Sequence, residues 1–157
     1  MTEIYGYSEK VMEIFKHPHN IGEIKDADAV GKVGSPACGD LMWMFLKIGR
    51  DKNRREIIKD VKVKTFGCVA AIATSSVLTD LIKGRALKDA MKITKQDIIG
   101  VLNGLPGQKI HCSVLAIDAL KESIYDYLKR NRRPVPEELK RVHNRVETVT
   151  KRIEHAH

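Results

Sequence analysis

Residues 58–82 read IKDVKVKTFGCVAAIATSSVLTDLI, and the apolar period changes inside them. From Ile58 to Phe66, Val61, Val63 and Thr65 alternate with Lys62 and Lys64, which predicts a half-solvated strand with opposite faces in different surroundings. From Val69 to Lys83, Ile72, Val77, Leu78, Leu81 and Ile82 recur at helical spacing, and Gly84 supplies a stop. Gly67-Cys68 is the junction. A thiol at a helix start lies near unpaired backbone N–H groups and the positive end of the dipole, which favour a thiolate over a thiol of ordinary pKa, about 8.5.

Upstream, Ala29 to Val33 reads as a short strand, and Leu41 to Ile48 (LMWMFLKI) is an apolar run of strand length, predicted to be buried on both faces. With the charged turn Gly49–Arg54, these make three strands joined by short connections, as expected of an antiparallel sheet. Ser8 can cap a first helix through Val11, Met12, Ile14 and Phe15, ended by His17 because Pro18 follows. His17-Pro18-His19-Asn20 carries two imidazoles two residues apart; it is read as a solvated turn without a role.

Downstream, a short helix around Ala86–Met91 and another from a Thr94 cap to Leu102 lead to Leu105-Pro-Gly-Gln-Lys109-Ile-His111-Cys112-Ser113. There a Pro-Gly breaker, a cation, an imidazole and a thiol meet the start of a long helix through Leu115, Leu120, Ile124 and Leu128. The run Lys129-Arg-Asn-Arg-Arg133 with Pro134 and Pro136 then breaks the chain. Leu139, Val142, Val146, Val149 and Ile153 follow at spacings of three and four, predicting a C-terminal amphipathic helix. The expected division is a main domain over 1–130 and a basic helical extension over 131–157. Glu137, Glu138, Glu147 and Glu154 dilute the extension's charge, so packing is the better reading than a polyanion-binding arm.

A chain of 157 residues can bury a core without disulfides or a structural metal, so any metal would be functional. The net charge is +8, but aromatics are only 5% and no base-reading motif accompanies the charge, which argues against specific nucleic-acid binding. Three widely spaced cysteines, an odd number, with no signal peptide or long apolar span, fit a reducing cytoplasm and no membrane.

Cys38, Cys68 and Cys112 contain no Cys-x-x-Cys, but each stands near the start of a regular element close to Pro, Gly or both. Three thiolates and one further ligand would complete a tetrahedral site for zinc or an iron-sulfur cluster. Two candidates for the fourth ligand adjoin the cysteines. Asp40 follows Cys38 by two residues with Gly39 between, so the two can converge in extended chain. His111 is next to Cys112, and because neighbours on a helix point about 100° apart, it reaches the same centre only from the loop before the helix. Both remain open, with Asp40 ranked first. A carboxylate among three sulfurs would be the easiest corner to displace, which suits delivery better than electron storage; Lys109 would offset the site's negative charge.

These residues resemble the iron-sulfur cluster assembly scaffold family of the IscU type, which includes the N-terminal part of NifU proteins. The match runs from Tyr7-Ser-Glu-Lys-Val11 through Pro36-Ala-Cys38-Gly39-Asp40 and Gly67-Cys68-Val-Ala-Ala-Ile-Ala-Thr-Ser-Ser76 to Leu105-Pro-x-x-Lys109-Ile-His111-Cys112-Ser113-x-Leu115-Ala116, over residues 5–130. The resemblance implies an α+β domain, a three-stranded antiparallel sheet packed against several helices, with no catalytic turnover of its own. It implies that Cys38, Cys68 and Cys112 combine iron with sulfur from a cysteine desulfurase into a transient 2Fe-2S cluster and pass it to apo-protein acceptors. Asp40 matches an aspartate tied to cluster lability, and His111 and Lys109 match residues near the same site. Tyr7 matches a tyrosine tied to self-association, hence a homodimer. Frataxin and ferredoxin are further partners the family suggests. Gly107 and Gln108 replace the Pro and Val of the usual Leu-Pro-Pro-Val-Lys, so an Hsp70-type chaperone is not carried over. The rival reading is a zinc-bound sulfur-acceptor protein built on the same ligands.

Overall fold

The computed structural model describes residues 6–35 and 39–156. Cys38, with Pro36 and Ala37, lies outside the described residues, as does the Ile153 side chain. The chain forms α1 (Glu9–Lys16), β1 (Ala29–Gly34), β2 (Leu41–Arg50), β3 (Glu56–Phe66), α2 (Val69–Ile82), α3 (Leu87–Ala90) and α4 (Lys95–Val101). A 3-10 turn, Gly107–Lys109, leads into α5 (Ile110–Arg130), and α6 (Glu137–Ala156) follows. This is the α+β arrangement expected: an antiparallel sheet in the order β1-β2-β3, with helices on one face. Among the described residues, no helix is long and apolar enough to cross a membrane.

Local chemistry sets the ends. Ser8 accepts from the Val11 N–H at 3.1 Å and donates to the Leu102 carbonyl at 2.6 Å, so one hydroxyl caps α1 and ties it to α4. Thr94 and Asp97 form a reciprocal capping box on α4. His19 and Asn20 anchor their loop to α2, the imidazole Nδ1 lying 2.6 Å from Asp80 and the Asn20 amide donating to Thr79 at 3.0 Å. The turn read without a role is therefore a clamp on the central helix.

Two expectations change. The β2 run is not buried on both faces: Met42, Met44 and Leu46 are fully buried, while Trp43 and Phe45 are half-buried on the sheet's other side. Trp43 lies under the ammonium groups of Lys32 and Lys64, at 5.1 and 5.7 Å, and meets Phe66 edge-on. Apolar composition alone does not say which face of a strand meets water, and cations over an indole make a half-open setting tolerable. Likewise α2 is buried nearly all round rather than on one stripe. Ala70, Ala71, Ala73, Thr74, Ser75 and Ser76 are all inside, and Thr74, Ser75 and Thr79 satisfy their hydroxyls on carbonyls of the preceding turn.

α5 crosses β1 so closely that Gly31 has no room for a side chain: a Cβ there would lie 2.4 Å from the Ser123 nitrogen and 2.5 Å from the Ala119 oxygen. α6 continues the same core. Its Leu139, Val142 and Val146 are buried in one cluster with the sheet and α5, each contributing about 2 kcal/mol. His143 stacks on Tyr125 and bridges Glu122 and Glu147. At the far end of the sheet Glu56 accepts from the Tyr127 hydroxyl and from Arg133 at 2.6 Å. Burial raises the Glu56 pKa, but these two donors outweigh it and hold the carboxyl below its ordinary value.

Gly31→Ala is expected to destabilise the fold by about 3 kcal/mol, because both clashing atoms are backbone; urea unfolding measures it. A depressed carboxyl stabilises the fold above its unfolded pKa, and that contribution disappears as pH falls through the folded value. Glu56→Gln should therefore cost about 1–2 kcal/mol at pH 7 and flatten the loss of stability below about pH 4.5, as read from unfolding free energies against pH.

Candidate metal centre

The sheet and two helix starts bring three chemically able side chains to one place. Asp40 leaves the β1–β2 connection just before β2. Gly39 donates to the Ser35 carbonyl at 2.8 Å, Ser35 donates to the Asp40 carbonyl at 2.9 Å, and Gly39 adopts φ +73°, a left-handed value that glycine takes without strain. Cys68 is the residue before α2, and Cys112 is the third residue of α5. One side-chain hydroxyl joins the two helix starts: Thr74 donates to the Ala70 carbonyl at 2.7 Å and reaches the Cys112 carbonyl at 3.3 Å.

The Cys68 and Cys112 sulfurs lie 3.7 Å apart, and a carboxylate oxygen of Asp40 is within 4.8 Å of both. In a tetrahedral site with metal–sulfur bonds of 2.3 Å, two sulfurs stand about 3.8 Å apart. The donor set fits a thiophilic metal. Asp40 is 7% exposed, and among the described residues its Oδ2 has no hydrogen-bond partner. Such an orphaned buried oxygen costs about 1–3 kcal/mol unless something meets it.

The sulfurs differ in access. Cys68 is half-buried, whereas Cys112 is fully buried. The Cys68 thiol is lowered to about 5, chiefly by its hydrogen bond with Cys112; burial and the nearby Asp40 charge oppose this, while the Ala71 N–H and the Lys109 ammonium favour it. Tyr7 is buried over the same group: burial first, then the Cys68 and Cys112 charges, push its phenol up, while Lys109 pulls it down.

His111 is the second residue of α5, not part of an irregular loop, yet its Nε2 comes to 3.7 Å from the Cys112 sulfur. The rule that adjacent helical side chains diverge underestimates the reach of an imidazole. Even so, the group whose donor atoms all lie within mutual reach, among the described residues, is Asp40, Cys68 and Cys112. Lys109 ends the 3-10 turn and acts on Cys68 by its charge.

Gly67, read from the sequence as the strand-to-helix junction, also shapes this centre. A Cβ on it would fall 2.8 Å from Asp40 Oδ2 and 2.9 Å from the Ala71 Cβ, so Asp40 can lie where it does only because residue 67 has no side chain. Phe66, immediately before it, is 63% exposed beside this centre.

The family model described as "NifU-like N terminal domain" matches residues 6–134. The chain belongs to this family. It is 51% identical over 125 residues to a protein of Archaeoglobus fulgidus named iron-sulfur cluster assembly scaffold protein IscU 1, covering 80% of this chain and 78% of that one. With the iron-sulfur cluster assembly scaffold protein IscU of Aquifex aeolicus it shares 44% identity over 129 residues, 82% of this chain and 80% of that one. In fold it is similar to a crystal structure from Fervidobacterium islandicum, described as a scaffold protein of this kind for a SUF system, with TM-score 0.60 and 21% identity over 75% of this chain and 96% of that chain. NifU-type features thus extend from Gly6 to Pro134, short of α6.

Gly67→Ala is expected to keep the fold but push Asp40 aside. Cobalt(II), read by its thiolate charge-transfer absorption, should bind at least about tenfold more weakly than to the unaltered protein. Equal affinity, with an unchanged unfolding midpoint, would detach Asp40 from the centre.

Proposed function

We propose that this protein is a scaffold on which iron-sulfur clusters are assembled and from which they are handed to apo-proteins. The observation that carries the reading is the pair of sulfurs 3.7 Å apart with an orphaned buried carboxylate oxygen within 4.8 Å of both. The names of the relatives support the same reading. Cys38, two residues before Asp40 in the chain, is proposed as the third thiolate. Residues 131–157 are read as an extension of this scaffold domain.

The cargo we infer is a 2Fe-2S cluster. Three thiolates and a carboxylate around a core of charge +2 leave a formal charge of about −2, which Lys109 and the N-termini of α2 and α5 offset. Sulfur arriving from a cysteine desulfurase is at the sulfane level, and each atom needs two electrons to become sulfide, so a ferredoxin-class electron donor belongs with the desulfurase and an iron donor of the frataxin kind. The half-buried, low-pKa Cys68 is the thiolate best placed to meet incoming sulfur, while Cys112 and Asp40 hold the inner side. The carboxylate is the hard ligand in a soft set and therefore the corner at which an acceptor thiol displaces the cluster. The protein turns over no substrate of its own in this scheme. Free thiols of this kind require reducing surroundings, and the cytoplasm is the compartment we infer. Self-association through the Tyr7 region would place two centres near one another.

Anaerobic reconstitution with iron, cysteine and a desulfurase, followed by visible circular dichroism and by iron, sulfide and zinc analysis, tests the reading. Iron and sulfide in equal amounts are expected, with bands lost in Cys38→Ser, Cys68→Ser and Cys112→Ser. Stoichiometric zinc without sulfide, persisting under those conditions, would replace it with a zinc-bound sulfur-acceptor role. Asp40→Cys, which puts a soft, less readily displaced ligand at that corner, is expected to retain the cluster and slow its transfer to an apo-ferredoxin by about tenfold or more. Unchanged transfer would remove Asp40 from the gate.

A further inference from the structure

The turn between β2 and β3, α3 and the linker before α6 surround a cavity of about 500 Å³. It lies at the opposite end of the sheet from the sulfurs, nine residues along β2 from Leu41 and so about 30 Å away. Its floor is apolar and belongs to the core: Leu87, Ile124 and Leu128 are each at most 9% exposed. Its rim is basic, with Arg50, Arg54, Arg55, Lys88 and Arg133 against only Glu56 and Asp89.

Most of the nearby acidic charge is already committed. Glu56 is held by Tyr127 and Arg133, and Asp89 lies 4.0 Å from Lys92. Asp51, behind the rim, pairs with Arg55 at 2.9 Å. Arg54 and Lys88, both exposed, make no ion pair among the described residues. The rim is also built rather than loose. Asp51 accepts from the N–H groups of Asn53 and Arg55 at 2.8 and 2.9 Å, Arg50 donates to the Arg54 carbonyl at 3.0 Å, and Arg54 is held at φ +63°, an unfavourable setting for a side-chain-bearing residue.

An apolar floor with an unneutralised guanidinium and ammonium at its mouth selects for a ligand with both characters. Guanidinium forks match carboxylate and phosphate oxygens, and the cavity falls in the range of about 300–1,000 Å³ common for small-molecule sites. We propose that this cavity binds an amphipathic anion: a carboxylate or phosphate head at Arg54 and Lys88, carried on an aliphatic body lying against Leu87, Ile124 and Leu128. This site is independent of the cysteine centre and of the reading given to it.

Calorimetric titration of the full chain with octanoate, octyl phosphate and octanol tests the proposal. Both anions are expected to bind at least tenfold more tightly than the neutral alcohol. Arg54→Glu combined with Lys88→Glu, two exposed positions outside the core, should remove that preference while leaving octanol binding unchanged. Methyl NMR spectra of the unaltered protein should show octanoate shifting Leu87, Ile124 and Leu128, which keeps the test decisive even if the double variant unfolds. Octanol binding as tightly as octanoate, an unaltered preference in the folded double variant, or methyl shifts confined to other residues would each overturn it.

Discussion

The contact between the starts of α2 and α5 is the constraint on which the rest depends. α2 packs on α5, and its first turns carry only small residues, Ala70, Ala71, Ala73 and Thr74, all fully buried. The hydroxyl of Thr74 then links both backbones. A larger residue on this face would part the helix starts and with them the two sulfurs. The sheet follows from the same packing: β3 feeds directly into α2, and α5 lies across β1 at Gly31, so the helix pair fixes where both outer strands sit.

The strands were legible because their period is plain. Val61 and Val63 against Lys62 and Lys64 give β3, and the spacing of Leu115, Leu120, Ile124 and Leu128 gives α5. The helix caps at Ser8 and Thr94 were legible too, since a hydroxyl before an apolar run has a local mechanism. What escaped was anything set across the fold. Trp43 and Phe45 look like core residues in the chain, and only the lysines on neighbouring strands explain why the indole can lie half-open. The burial of Ser75 and Ser76 escaped for the opposite reason: polar composition suggests a surface, while intrahelical hydrogen bonds and the backbone of His19 make it an interior.

At the candidate centre, sequence order singled out the chemistry but not its distances. Asp40 and the cysteines could be named from residue type and from the family they resemble. The closeness of Cys68 to Cys112, forty-four residues apart, is a product of helix packing. Gly67 shows the same limit most sharply. Its neighbours in sequence mark it as a strand-to-helix junction, and only the fold reveals that its missing side chain is the space the Asp40 carboxylate fills.

That carboxylate also bears on the stability of the folded chain. An oxygen buried without a described partner leaves the bare protein holding free energy that a cation relieves, so bare and charged forms are separated energetically even where their backbones coincide. A cation that met this oxygen would remove that penalty, and by linkage the folded state would gain stability with it.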